Sequence, residues 1–142
     1  MIWNRQMTRS AKAMGAIVAF GISLAACGGV PADSALDHVL DLDHLKQLVV
    51  GNTLSGENDD GTTFTEFYLP DGTIHGEDNQ AEKYDGKYNF RLNMLCLDYE
   101  GTDNDGCVRV SVDGDQVLLI KNDRVLTTVR NLKVLPGNPR NF

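Results

Sequence analysis

The chain has 142 residues, with 13 Lys and Arg against 20 Asp and Glu, and therefore a formal net charge of −7 at pH 7. A length of this order suits one domain with a modest core and not two. The acidic excess argues against a nucleic-acid partner, whose phosphates require Lys and Arg. It argues equally against a polybasic attachment to anionic lipid.

The first part of the chain has the composition of a secretory signal. Residues 1–13 carry three basic side chains and no acidic one, and the mostly apolar run "MGAIVAFGISLAA" follows at 14–26. A basic start, an apolar run well under about 18 residues and small residues at its end are typical of a signal peptide. The run is also too short to span a bilayer comfortably as a permanent helix. The sequence therefore predicts a signal peptide over residues 1–26.

The signal ends on "LAAC", residues 24–27, which resembles the lipobox of bacterial lipoproteins. That resemblance implies that the Cys27 thiol is acylated, and that the signal is cut so that Cys27 becomes the first residue of the mature chain. Because one acyl chain holds a protein only marginally, two or three chains are needed for permanent attachment. Gly28 in place of Asp favours, by the sorting rule of that family, an outer-membrane lipoprotein facing the periplasm. The alternatives are an ordinary signal cut near Ala26 and a buried helix of a cytosolic protein.

The rest of the chain divides into a tether and one domain. Residues 27–34 begin with Cys27, the acylated terminus that the lipobox resemblance implies, and their Gly, Pro and Ser predict a flexible tether. Residues 35–142 are predicted to form a single β-rich domain. Without residues 1–26 the chain keeps ten basic and all 20 acidic residues, so its net charge becomes −10. Attachment to the membrane is then expected through the acyl chains.

One short amphipathic helix is predicted at the start of this domain, over residues 35–50. Its apolar residues recur at steps of three and four, which indicates either one helix or two helical turns broken near Asp41. Asp41 or Asp43 could cap the second turn, and Gly51 with the following Asn ends it. The apolar positions are Leu36, Val39, Leu40, Leu42, Leu45, Leu48 and Val49.

From residue 53 onward the sequence alternates between strands and turns. Segments of five to eight residues rich in Thr, Val, Phe and Tyr are separated by turn signals every eight to twelve residues, which is typical of an antiparallel meander. Six to eight such strands predict a mainly β fold. It is either a small up-and-down, lipocalin-like barrel or a compact sandwich, with the helix covering one end. The clearest turn signals are "PDG" at 70–72, "DGDQ" at 113–116 and "ND" at 122–123.

Cys96 and Cys107 are predicted to form a disulfide, since paired cysteines outside the cytoplasm usually do. "MLCLDY" at 94–99 and "GCVRVSV" at 106–112 indicate a hairpin, and side-chain alternation holds on both strands if the cysteines lie opposite each other. Redox-active thiols are the alternative, without CxxC spacing to support it. The other pairs that this register predicts are Leu95 with Val108 and Leu97 with Gly106.

The domain as a whole resembles small secreted and lipid-anchored domains of unknown function from Gram-negative bacteria. The resemblance covers residues 45–139, and Tyr88 stands where such domains often have Trp. The resemblance implies the subcellular localisation and the fold but no activity, because these domains have no established catalytic residues. The motifs that carry it are "LVVGNTLSG", "FYLPDGTIHG", "YDGKYNF", "LCLDYEG", "GCVRVSVDGDQV" and "LPGNP".

Two acidic loops raise the question of a metal site. "ENDDG" at 57–61 and "TDNDG" at 102–106 could wrap Ca²⁺, with Asp103 and Asp105 as the weak candidate ligands. The favoured interpretation is turn chemistry, because Asn, Asp and Gly tolerate left-handed backbone angles. The three histidines lack a metal-ligand spacing. No cofactor and no metal are predicted.

The sequence favours a non-catalytic, lipid-anchored periplasmic protein that binds an envelope protein or a small ligand, or that has a structural role. An envelope-acting hydrolase with paired carboxylates and a calcium-stabilised structural module are the alternatives. The aromatic residues in the middle of the chain could line a pocket, although filling the core is the favoured interpretation. These candidates are Phe64, Phe67, Tyr68, Tyr88 and Phe90.

Overall fold

The computed structural model describes residues 35–100 and 106–142. The predicted signal, Cys27 and the tether lie outside the described residues, as do Asp103 and Asp105. Eight antiparallel strands follow one another in sequence order and close into a barrel through pairing of the last strand with the first. The elements are α1 Leu42–Val49, β1 Asn52–Glu57, β2 Thr63–Tyr68, β3 Thr73–Asp78, β4 Lys83–Arg91, β5 Met94–Tyr99, β6 Gly106–Asp113, β7 Gln116–Lys121 and β8 Arg124–Pro136.

The predicted mainly β fold is confirmed, and of the two predicted architectures the closed up-and-down barrel is the one observed. Closure leaves most strand backbone groups paired with a neighbour, which removes the exposed edges that a flat sheet would present. Within the two described ranges, no helix is long and apolar enough to cross a bilayer.

Alternation along each strand separates an interior core from an outer face. In β2 the side chains of Phe64, Glu66 and Tyr68 are buried, while those between them are more exposed. This period of two is the one expected of a strand with one face on a core. The interior core draws residues from all eight strands.

The helix α1 packs onto the interior core at the end of the barrel where β1 begins. Asp41 caps it, because its carboxylate accepts a hydrogen bond from the His44 backbone N–H at 2.9 Å. That bond is the main reason why the pKa of Asp41 lies below its usual value. Leu45 and Val49 are fully buried against the core. The predicted break near Asp41 and the cap at that residue are confirmed.

The segment before α1 completes the barrel wall between β5 and β6. Among the described residues, three pairs join those two strands, and at the other end of β6 its backbone bonds to the incoming chain. The Leu40 N–H donates to the Val110 carbonyl at 2.8 Å, and the Val112 N–H donates to the His38 carbonyl at 3.3 Å. Outside the barrel, this segment covers part of β7 in a small apolar cluster formed by Ala35, Leu36, Val39, Leu118 and Ile120. The chain therefore enters the domain over the outer face of β7.

The β5–β6 hairpin has the predicted register. A disulfide joins Cys96 to Cys107, Leu95 pairs with Val108, and Leu97 pairs with Gly106. The predicted disulfide is thus confirmed. Val108 and Val110 on β6 are buried, whereas Val112 is exposed because it lies next to the turn into β7.

The β7–β8 turn also forms as predicted, with Ile120 paired with Val125. Its two central residues, Asn122 and Asp123, have φ values of 53° and 59°. Positive φ at both central positions is what a two-residue hairpin turn requires, and Asn and Asp tolerate it better than other non-glycine residues.

Candidate functional site

The most unusual feature of the barrel interior is a fully buried carboxylate. Glu66, in the middle of β2, has an exposed fraction of 0%. Three tyrosine hydroxyls donate hydrogen bonds to it: Tyr68 to Oε2 at 2.6 Å, Tyr84 to Oε1 at 2.8 Å and Tyr99 to Oε1 at 3.0 Å. These four residues, from β2, β4 and β5, are called the Glu66–tyrosine cluster below.

The cluster satisfies the main physical demand of a buried carboxyl group. Moving an ionised carboxylate into an apolar core is costly unless donors replace the lost water. Here both carboxylate oxygens accept hydrogen bonds from hydroxyls on two other strands and on β2 itself. The arrangement therefore ties β2, β4 and β5 together inside the barrel.

Two glycines make room for the rings of the cluster. A Cβ atom built on Gly76 would lie 2.4 Å from the Tyr84 ring, and one built on Gly86 would lie 2.8 Å from the Tyr99 ring. Such distances are far inside normal contact, so any other residue would displace the tyrosines. Glycine in a strand interior commonly marks a close approach of this kind.

Replacing Gly76 with alanine is expected to destabilise the fold by about 1–3 kcal/mol, the usual cost of overpacking a core. The methyl group would push the Tyr84 ring away from Glu66. The measurement is urea unfolding followed by circular dichroism. The double variant Gly76→Ala/Tyr84→Ala should lose less free energy of unfolding than the sum of the losses in the two single variants. Additive losses would contradict the contact.

Each of the four tyrosines of the chain has a raised pKa. They are Tyr68, Tyr84, Tyr88 and Tyr99. Burial is the main reason why the pKa of each one is raised, since a low dielectric disfavours the phenolate. The pKa of Tyr99 is raised further by the neighbouring Tyr68 and Tyr84. The hydroxyls of Tyr68, Tyr84 and Tyr99 therefore remain donors to Glu66, and that of Tyr88 a donor to the Leu69 carbonyl, as the pH rises into the alkaline range.

An alkaline titration tests this environment directly. Ultraviolet absorbance of the native protein should show little tyrosinate near pH 10, where tyrosines of the unfolded chain ionise. The tyrosines of the unfolded chain lose their protons at lower pH than those of the folded protein. Their burial therefore contributes fully to the free energy of unfolding below about pH 10, and this contribution falls as the pH rises above it. In denaturant all four tyrosines should titrate near pH 10, which is the control. Native titration near pH 10 would contradict the burial.

The five aromatic candidates do not line a single site. Phe64, Tyr68 and Tyr88 are buried in the interior core, and Phe90 packs against it. Edge-to-face contacts join Tyr68 to Tyr88 and Tyr88 to Phe90, with ring centroids 5.3 and 5.7 Å apart. Phe67 pairs with His75 on the outer face. The interior candidates therefore serve as core residues.

Comparison with known proteins adds no family to this picture. No model of a known protein family matches the sequence, and no curated protein matches it either.

The first acidic loop uses its carboxylates to build a turn. Asp59 accepts a hydrogen bond from the Thr128 backbone N–H at 2.8 Å, and Asp60 accepts from the Thr62 N–H at 3.0 Å and from the Thr62 hydroxyl at 2.6 Å. Across residues 35–100 and 106–142, no group of three His, Cys, Asp or Glu side chains is placed to hold a metal ion. At 57–61 the loop thus has the predicted turn chemistry.

Glu66 was not singled out from the sequence. Its position between Phe64 and Tyr68 on an alternating strand is the signal that places it on the buried face. In the described part of the chain it is the one buried acidic residue. A glycosidase-like mechanism needs two carboxylates flanking the substrate, and the described interior supplies one, bonded to tyrosines.

Proposed function

We propose that this protein is a non-catalytic lipoprotein of the cell envelope, held by acyl chains on Cys27 in the outer membrane with its barrel in the periplasm. The "LAAC" sequence and the preceding basic and apolar segments support the anchor. The disulfide supports an oxidising compartment. The resemblance to secreted and lipid-anchored domains of Gram-negative bacteria agrees with both.

The observation that carries the non-catalytic role is the occupation of the barrel interior by the protein's own side chains. Phe64, Tyr68 and Tyr88 are buried there, and the Glu66 carboxylate is engaged by tyrosine hydroxyls. Side chains that fill the interior of a small barrel in this way support a packed core. Binding of an envelope protein would therefore use the outer faces of the strands.

The experiment is fractionation combined with in-cell crosslinking of the wild type and the Cys27→Ser variant. Wild-type protein should float with outer-membrane vesicles and crosslink to envelope proteins, whereas Cys27→Ser should lose both the flotation and those neighbours. The matched control is the double variant Cys96→Ala/Cys107→Ala, which lacks the disulfide but keeps Cys27. Equal fractionation of wild type and Cys27→Ser would overturn the proposal.

A further inference from the structure

The wall of the barrel includes a short stretch of chain that is not one of its eight strands. Residues 35–40, called the strap below, run antiparallel to the end of β6, where Val39 pairs with Ser111. Two backbone hydrogen bonds, 2.8 and 3.3 Å long, flank this pair. The strap therefore occupies an edge of β6, and such an edge is also the kind of place where an extended segment of another protein binds.

The strap covers a polar group for which it supplies no partner. Ser111 lies between Val39 of the strap and Leu118 of β7, and it is fully buried. Its hydroxyl has no hydrogen-bond partner within the described residues, and burial of an unpaired hydroxyl opposes folding. The longer of the two backbone bonds also exceeds the usual range of about 2.7–3.2 Å. Removal of the strap would return the hydroxyl to water.

Release of the strap leaves the helix α1 attached to the barrel. The strap is followed by Asp41, the cap of α1, and α1 is held separately by the buried Leu45 and Val49. Asp41 is therefore the hinge on which the strap would move. Leu40 is the strap residue that packs against the interior core, so a segment that replaces the strap must supply an apolar side chain at that position.

The apolar surface under the strap continues beyond it. Leu118 and Ile120 of β7 are buried in the outer apolar cluster to which the strap contributes. Val125 of β8 pairs with Ile120, so it lies on the same face, and it is 40% exposed. The apolar surface available to a longer segment is therefore larger than the part that the strap covers.

The edge is acidic where β6 turns into β7. Asp113 follows Val112 at the end of β6, Asp115 lies in the turn, and both carboxylates are exposed. The Val112 N–H donates to the His38 carbonyl, so Asp37, which precedes His38 and is also exposed, lies at the same end of the edge. The strap thus adds a third negative charge there, whereas a basic residue at its position would be attracted.

We infer that the β6 edge under the strap is the docking site for an extended segment of an envelope protein. The segment is apolar where the strap has Val39 and Leu40, and basic where the strap has Asp37. It displaces the strap and adds a strand to the barrel wall. Displacement also lengthens the link from Cys27 to the barrel from 8 to 14 residues, which extends from about 28 Å to about 49 Å. The inference rests on the proposed function, because it names the surface with which the anchored barrel binds its partner.

The first test locks the strap onto β6 with a disulfide, in the variant Val39→Cys/Ser111→Cys. The two residues form a pair without mutual hydrogen bonds, and the Cα atoms of such a pair lie about 4.5 Å apart, within the range of a disulfide. The matched control is Val39→Ser, whose side chain is similar in size to cysteine but forms no crosslink. Mass spectrometry verifies the new bond, and thermal unfolding verifies that each acylated variant folds in detergent micelles.

The probe is a fluorescent peptide with the sequence of residues 35–41 and with Asp37→Lys. Its affinity should be lower by about tenfold or more for the locked variant than for the wild type, because the lock removes the open population to which the peptide binds. Val39→Ser should bind it more tightly than the wild type. The peptide with the native aspartate should bind more weakly, and high salt should reduce this difference. Equal affinities of the locked variant and the wild type, or no binding to either, would overturn the inference.

Hydrogen exchange of the wild type is the second measurement, and it needs no variant. Saturating peptide should speed exchange in residues 35–40 while β6 keeps its protection, because the peptide replaces the strap on that strand. Binding of the peptide with unchanged exchange in the strap would overturn the inference. A locked variant that floats with the membrane but binds the peptide as the wild type does would overturn the inference alone. Failure of the wild type to float would overturn the anchor.

Discussion

Replacement of Glu66 by alanine should lower the free energy of unfolding by about 3–5 kcal/mol, because several buried groups lose their acceptor at once. The hydroxyls of Tyr68, Tyr84 and Tyr99 all donate to this carboxylate. Each buried donor left without an acceptor costs about 1–3 kcal/mol, and part of that cost is recovered if the hydroxyls bond to one another. The cavity left by the side chain adds to the loss.

The measurement is urea unfolding at neutral pH, with Glu66→Gln as the intermediate variant. Glutamine keeps the shape of the side chain and one acceptor oxygen, so it should cost less than alanine. The matched control is Glu82→Gln, since Glu82 is exposed and such a surface change should stay within about 0.5 kcal/mol. A Glu66→Ala variant as stable as the control would show that the cluster does not stabilise the barrel.

Removing the disulfide should lower the free energy of unfolding by about 3 kcal/mol, on the entropic account of a crosslink that closes a loop of this size. Cys96 and Cys107 are 11 residues apart, and they form the middle one of the three β5–β6 pairs in the described part of the chain. Without the crosslink, the unfolded chain gains conformational freedom and the β5–β6 hairpin loses its covalent support. The variant to measure is Cys96→Ala/Cys107→Ala.

Reduction of the wild type with dithiothreitol is the companion measurement, because it breaks the same crosslink without changing the sequence. Both samples should unfold at lower urea concentration than the oxidised wild type, by similar amounts. Hydrogen exchange should locate the loss at β5 and β6 before the rest of the barrel. Unchanged stability in both samples would mean that hydrogen bonds alone hold this hairpin.

The parts of the fold that could be predicted are those in which two local constraints agree. Alternation on both strands and the requirement that Cys96 meet Cys107 permit one register, and the structure has it. Asn122 and Asp123 similarly suit a two-residue turn, which sets the pairing of Ile120 with Val125. Asp41 was one of two candidate caps because the apolar spacing was interrupted there, and it is the observed cap.

The features that could not be predicted depend on residues distant in sequence. Glu66 accepts hydrogen bonds from Tyr84 and Tyr99, which are 18 and 33 residues away in sequence. No local sequence pattern predicts that these three side chains lie together. Gly76 signals a close approach, but its partner ring is known only once β3 and β4 are paired. The pairing of residues 38–40 with β6 was missed because a helical spacing covered that segment.

The central claim is that Cys27 carries acyl chains. The most direct measurement is metabolic labelling with an alkyne-bearing fatty acid, followed by mass spectrometry of the purified protein. We predict a labelled mature chain that begins at Cys27, and an unlabelled Cys27→Ser variant that retains residues 1–26. A wild-type protein that carries no label and is processed in the same way as Cys27→Ser would contradict the account.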